Sequence, residues 1–91
     1  MSAAARTVEI INRKGLHARA SAKFVKLAGE FDAEVTVAKD GHTVDARSIM
    51  GLMMLAAGPG CEIEIAAEGP QAEAALAALE ALVSGRFGED E

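Results

Sequence analysis

Between Asn12 and Phe24 the chain reads NRKGLHARASAKF. His17 is followed two residues later by Arg19, where a polar loop ending in Gly15 gives way to a run with helical periodicity. A helix that begins there leaves its first backbone N–H groups unpaired, Ala18 foremost, and its dipole adds partial positive charge. Such an end binds a dianion such as a phosphoryl group. Arg19 adds charge-assisted hydrogen bonds to the same oxygens. The positive field disfavours an imidazolium and keeps the ring nucleophilic. A neutral ring nitrogen attacking phosphorus gives a phosphohistidine. Positioning and charge stabilisation are most of what phosphoryl transfer asks of a protein. The same residues have a plainer reading, in which His17 only caps the helix and Arg19 is a solvated cation. A single His-x-Arg does not choose between the two.

Both readings need the flanking elements to place the ring. Thr7 to Ile11 reads as a strand with Val8 and Ile10 on one face. From Ala18, the residues Ala20, Phe24, Leu27, Ala28 and Phe31 recur at three- and four-residue steps, opposite Lys23, Lys26 and Glu30. That is an amphipathic helix of about three turns. Ala33 to Ala38 alternates as a strand, and Asp40-Gly41 is a type I′ hairpin signal before a short return strand, His42 to Asp45. Ser48 to Ala56 reads as a short helix with Ser48 as N-cap, stopped by Gly58-Pro59-Gly60. Cys61 to Ala67 alternates as a fourth strand. Pro70 suits the first position of a last helix with Ala72, Leu76, Leu79 and Val83 as its stripe and Gly85 as its stop. The order is β-α-β-β-α-β-α. Each strand has one apolar face, so helices cover one side of the sheet: an α+β open-faced sandwich.

Composition bounds the function. The chain has 91 residues and a formal net charge of −5. One domain over 1–91 is expected, ordered over about 6–87, with an acidic, disordered tail at 88–91. The charge argues against nucleic acid as a partner, since that affinity comes from Lys and Arg meeting phosphates. Arg13, Lys14, Arg19, Lys23 and Lys26 are nevertheless clustered, which suits an anion or an acidic partner. No apolar run reaches the ~20 residues of a membrane span, and no signal peptide is visible, so a cytoplasmic protein is expected. The single cysteine, Cys61, excludes an internal disulfide and reads as a small hydrophobe facing the core. His42 reads as a solvated strand residue. No metal-ligand spacing and no Gly-rich nucleotide loop occur, so no metal or cofactor is expected.

The second short helix carries more apolar residues than one face needs. Leu52 and Leu55 suit the core. Ile49, Met50 and Met53 suit an exposed patch, and methionine fits a surface that meets several partners.

Gly15-Leu16-His17-Ala18-Arg19 resembles the active-site signature of the histidine-containing phosphocarrier family, HPr, of bacterial phosphotransferase systems. Arg47 to Leu55, RSIMGLMML, resembles that family's second signature, around its regulatory serine, at matching distance. The resemblance extends from about Thr7 to Val83. It implies an open-faced β-sandwich with four antiparallel strands and three helices. It implies that His17 accepts phosphate through Nδ1 from Enzyme I charged by phosphoenolpyruvate, and passes it to a IIA-type protein. Arg19 and the Ala18 N–H would hold the phosphate. Ser48 would be the target of an HPr kinase/phosphorylase. Ile49, Met50, Met53 and Lys26 would meet partners. The chain would be a relay rather than an enzyme, most simply a monomer. Sugar-system members usually carry Pro after the arginine. Ala20 stands here instead, as in the nitrogen-related branch, so the pathway stays open between the two. The rivals are a non-catalytic regulatory module acting through the Ile49–Met54 patch with His17 inert, and a small-ligand-binding α+β domain.

Overall fold

The computed structural model describes residues 2–91. Four strands, β1 (Ser2–Glu9), β2 (Glu34–Lys39), β3 (His42–Asp45) and β4 (Glu62–Gly69), form one antiparallel sheet in the order β1-β4-β2-β3. Three helices, α1 (Ala18–Ala28), α2 (Ile49–Met54) and α3 (Ala72–Ser84), follow in the expected order, and a turn of 3-10 helix spans Arg86–Gly88. Residues alternate along β4 between exposed and buried, so one face of the sheet meets the helices and the other is open. No helix of the described residues is long and apolar enough to cross a membrane.

The core is built as the apolar stripes require. Ile63 and Ile65 from β4, Val37 from β2 and Val8 and Ile10 from the first strand and its exit are buried beneath Phe24 of α1 and Leu76, Leu79 and Val83 of α3. Burying one side chain the size of Phe24 contributes roughly 2–3 kcal/mol. The hairpin is as the dipeptide predicts: Asp40 and Gly41 both have positive φ, 52° and 83°. Ser48 caps α2, its Oγ accepting from the Gly51 N–H at 2.9 Å.

Several boundaries differ from expectation by a residue or two, and three differences are larger or bear on the site. The first strand begins at Ser2 rather than Thr7, because β4 runs on to Gly69 and its backbone groups take partners as far back as Ser2. Pro70 is not the first residue of α3. Gln71 is the N-cap, and it is tied to the loop after α1: its N–H donates to the Asp32 carbonyl at 3.0 Å, and its Oε1 accepts from the Asp32 N–H at 2.6 Å. Residues 88–91, expected as a disordered tail, lie against the domain, with Glu89 partly buried and Gly88, Asp90 and Glu91 exposed. Phe87 is 1% exposed, and the Lys23 ammonium donates to its carbonyl at 2.6 Å. Cys61 is only partly buried and packs against the edge of the core.

Candidate functional site

The loop from Asn12 to Leu16 carries the site, and Gly15 shapes it. Gly15 is buried with φ +63°, and a Cβ there would collide with the Ala57 main-chain oxygen and lie 2.9 Å from the Gly58 Cα. The close approach lets the Leu16 N–H donate to the Ala57 carbonyl at 2.9 Å. It fastens the residue before His17 to the loop that leaves α2.

His17 is the N-cap of α1, with extended φ −74° and ψ 179°. The first helical bond of that turn runs from the Ser21 N–H to the His17 carbonyl at 2.9 Å. The N–H groups of Ala18, Arg19 and Ala20 therefore have no partner within the helix. The ring does not cap the helix: it makes no hydrogen bond to those N–H groups. A capping role for His17 is thus confined to its backbone. Ala18 and Arg19 are exposed, and Arg19 forms no ion pair among the described residues. A helix start with unpaired donors, a free guanidinium and an imidazole suits a phosphoryl group.

The ring has a partner that sequence reasoning missed. Nε2 of His17 lies 2.6 Å from Oε2 of Glu89, and the two side chains are only 25% and 17% exposed. The His17 contact holds the Glu89 carboxyl below its usual range, and the Asn12 amide and the nearby Lys14 charge act the same way against partial burial. An ionised carboxylate only accepts, so Nε2 is the donor of this bond. Asn12, fully buried, donates from Nδ2 to the other Glu89 oxygen at 3.1 Å and to the Gly15 carbonyl at 2.9 Å. Its Oδ1 has no partner. Turning the amide over would set that oxygen against two acceptors, so the orientation is enforced. The tail is further held by Arg13, whose N–H donates to the Glu91 main-chain oxygen at 3.0 Å and whose guanidinium meets the Glu91 carboxylate at 2.9 Å. Arg13, Lys14 and Arg19 face Glu89, Asp90 and Glu91 across one shallow basin. The visible signal was Phe87, a large apolar residue just past a helix stop in a chain with 3 Phe and no Trp or Tyr.

Around α2 the expected division holds. Leu52 and Leu55 are buried, whereas Ile49, Met50 and Met53 are 39%, 67% and 38% exposed. Met54 joins the exposed group. His17 and Met53 line the same hollow, together with Leu16, Ala56 and Ala57. Lys26 is exposed in the last turn of α1, and nine residues at 1.5 Å each set it about 13 Å along the axis from His17. The structure does not bring it to the ring. His42 is exposed at the start of β3.

The family model described as "PTS HPr component phosphorylation site" matches residues 4–85. The chain belongs to the HPr family. It is 52% identical over 86 residues to a phosphocarrier protein HPr of Cupriavidus necator, an alignment covering 94% of this chain and 97% of that protein. It is 47% identical over 85 residues to a phosphocarrier protein NPr of Escherichia coli, covering 92% and 94%. The crystal structure of HPr-C-His from Thermoanaerobacter tengcongensis superposes with TM-score 0.92 at 42% identity, covering 97% of this chain and 99% of that one. The antiparallel open-faced fold of this HPr-family chain is thus the family's own. The strap that carries Phe87 and Glu89 lies beyond the residues the family model matches.

Proposed function

We propose that this chain is a phosphocarrier of a phosphotransferase system. His17 accepts a phosphoryl group through Nδ1 from phosphorylated Enzyme I and passes it to a IIA-type protein. The observation that carries this reading is the imidazole at the start of α1 beside three unpaired N–H groups, inside a chain of the HPr family. The Ala18 N–H and the Arg19 guanidinium hold the transferred oxygens. No nucleotide or metal takes part on this chain. The Nδ1 lone pair forms the bond to phosphorus as the donor's bond breaks, and the reverse occurs on the acceptor.

Ile49, Met50 and Met53 form the surface on which donor and acceptor dock in turn, next to the hollow that His17 and Met53 share. Ser48, the cap of α2, is a target for an HPr kinase/phosphorylase. A phosphate there adds two negative charges at the rim of the docking surface. Relatives named HPr and NPr are similarly close, so the donor is an Enzyme I of the sugar or the nitrogen type.

The test is intact-protein mass after incubation with Enzyme I, phosphoenolpyruvate and Mg²⁺, using both Enzyme I types. One added, acid-labile phosphate that is absent from His17→Ala supports the relay, and the type of Enzyme I that works assigns the pathway. No added phosphate with either would favour a binding module acting through the α2 patch.

A further inference from the structure

We propose that Glu89 is a positioning residue for His17: its carboxylate keeps the proton on Nε2 and aims Nδ1 at the phosphoryl group. This inference rests on the phosphocarrier reading of His17 and adds to it a residue from outside the part of the chain that the family model matches.

The geometry is that of a carboxylate–histidine pair. Oε2 of Glu89 is 2.6 Å from Nε2, and the pair is mostly shielded from water. Both carboxylate oxygens are engaged, because Oε1 accepts from the buried Asn12 at 3.1 Å. The carboxylate is therefore fixed in two directions, and the ring it holds is fixed with it. The strap behind it is tied down on both sides. Phe87 is buried two residues before, Lys23 from α1 donates to its carbonyl, and Arg13 takes the chain two residues after. Nδ1 is left without a side-chain hydrogen bond among the described residues and does not cap the helix.

The chemistry of transfer needs the proton where Glu89 puts it. As the Nδ1 lone pair forms the bond to phosphorus, the bond from phosphorus to the donor breaks. The ring keeps its Nε2 proton and becomes a phosphorylated imidazolium. The positive charge that develops is met by the Glu89 carboxylate, which adds the attraction of opposite charges to a hydrogen bond already in place. On the return step the electron pair goes back to Nδ1 and the ring leaves as neutral imidazole. Without the Nε2 proton it would have to leave as an imidazolate, a far poorer leaving group. The same contact thus assists acceptance and donation, and no proton is exchanged with solvent in either direction.

The test compares the wild-type chain with Glu89→Ala and Glu89→Gln, and with Glu64→Gln as the removal of an exposed carboxylate on the open face of β4. The first readout is the ¹⁵N NMR of the His17 ring in the unphosphorylated protein. It is independent of Enzyme I, and so separates this proposal from the phosphocarrier reading. The wild type should hold the proton on Nε2 in a hydrogen bond, which Glu89→Ala should lose and Glu89→Gln, with one oxygen for the two donors His17 and Asn12, should weaken. The second readout is the rate of transfer from phosphorylated Enzyme I and onward to a IIA-type protein. Glu89→Ala should lower the rate at saturating donor about tenfold, the lower end for a hydrogen bond to a charged group, in both directions. KM for the donor should not move. Glu89→Gln should fall between, and Glu64→Gln should match the wild type. A change within twofold, a change in KM alone, or a wild-type ring protonated on Nδ1 would overturn the proposal. A wild type that takes no phosphate from either Enzyme I overturns the phosphocarrier reading itself, and this inference with it.

Discussion

Gly15 ties the fold to the site more directly than any other residue, so Gly15→Ala is the sharpest structural perturbation. Three costs add. The φ of +63° is left-handed, which costs an L-residue about 1 kcal/mol. The new methyl meets main-chain atoms of Ala57 and Gly58, which cannot swing away like a side-chain tip, and overpacking of this kind costs about 1–3 kcal/mol. Relief requires the two loops to separate, which breaks the Leu16 N–H bond to the Ala57 carbonyl, worth about 1 kcal/mol. Together the loss is about 3–5 kcal/mol, a large share of the stability of a small domain. At this chain length each kcal/mol lowers Tm by about 4–8 °C, so a fall of at least about 12 °C is expected by circular dichroism. Transfer from Enzyme I should also fall at temperatures where the variant is still folded, because the residue before His17 has moved. A Tm within 3 °C of wild type together with unchanged transfer would show that the Gly15–Ala57 contact does not hold the ring's loop.

Ser48→Asp should leave the cap of α2 in place, since aspartate also accepts from a free N–H, yet slow phosphorylation of His17 by Enzyme I. An unchanged rate would remove the support for inhibition through this residue. Met50→Glu changes a side chain that is 67% exposed, so Tm should stay within a few degrees while KM for Enzyme I rises; a collapse of Tm would assign Met50 to the core instead. The strap carries a pH signature. The Glu89 carboxyl is lowered by its His17 contact from the usual 4.5, so its contribution to stability is present above about 4.5 and is lost as pH falls through its native value. The difference in urea midpoint between wild type and Glu89→Gln should therefore be present at pH 7 and shrink as pH falls below about 4.5, and a difference that persists undiminished in strong acid would contradict the assigned contact.

Much of the fold was legible because it rests on local rules. Asp40-Gly41 specifies its own turn, Ser48 its own cap, and the Ala20–Phe24–Ala28 stripe its own buried face. The site was legible at its centre for the same reason: a histidine at a helix start is a local feature. The parts that were not legible are set by distant partners. Alanine and serine have weak strand preference, so nothing local extends β1 to Ser2; the unsatisfied backbone of β4 does that. The start of α3 is fixed by Gln71 reaching the Asp32 backbone rather than by the fixed φ of Pro70. Glu89 looked like one charge among several in an acidic run. Its role depends on Phe87 finding the core and on Asn12 being buried opposite it, and both are products of the folded chain.

Nδ1 of His17 is the proposed seat of the phosphoryl group. The most direct measurement is ³¹P–¹⁵N correlated NMR of the protein after charging with Enzyme I and phosphoenolpyruvate, held at neutral to alkaline pH to preserve the bond. One phosphorus signal coupled to Nδ1 of His17, with Nε2 still protonated against Glu89, is expected. Coupling to Nε2, the atom the strap holds, or a phosphate on any other residue, would contradict it.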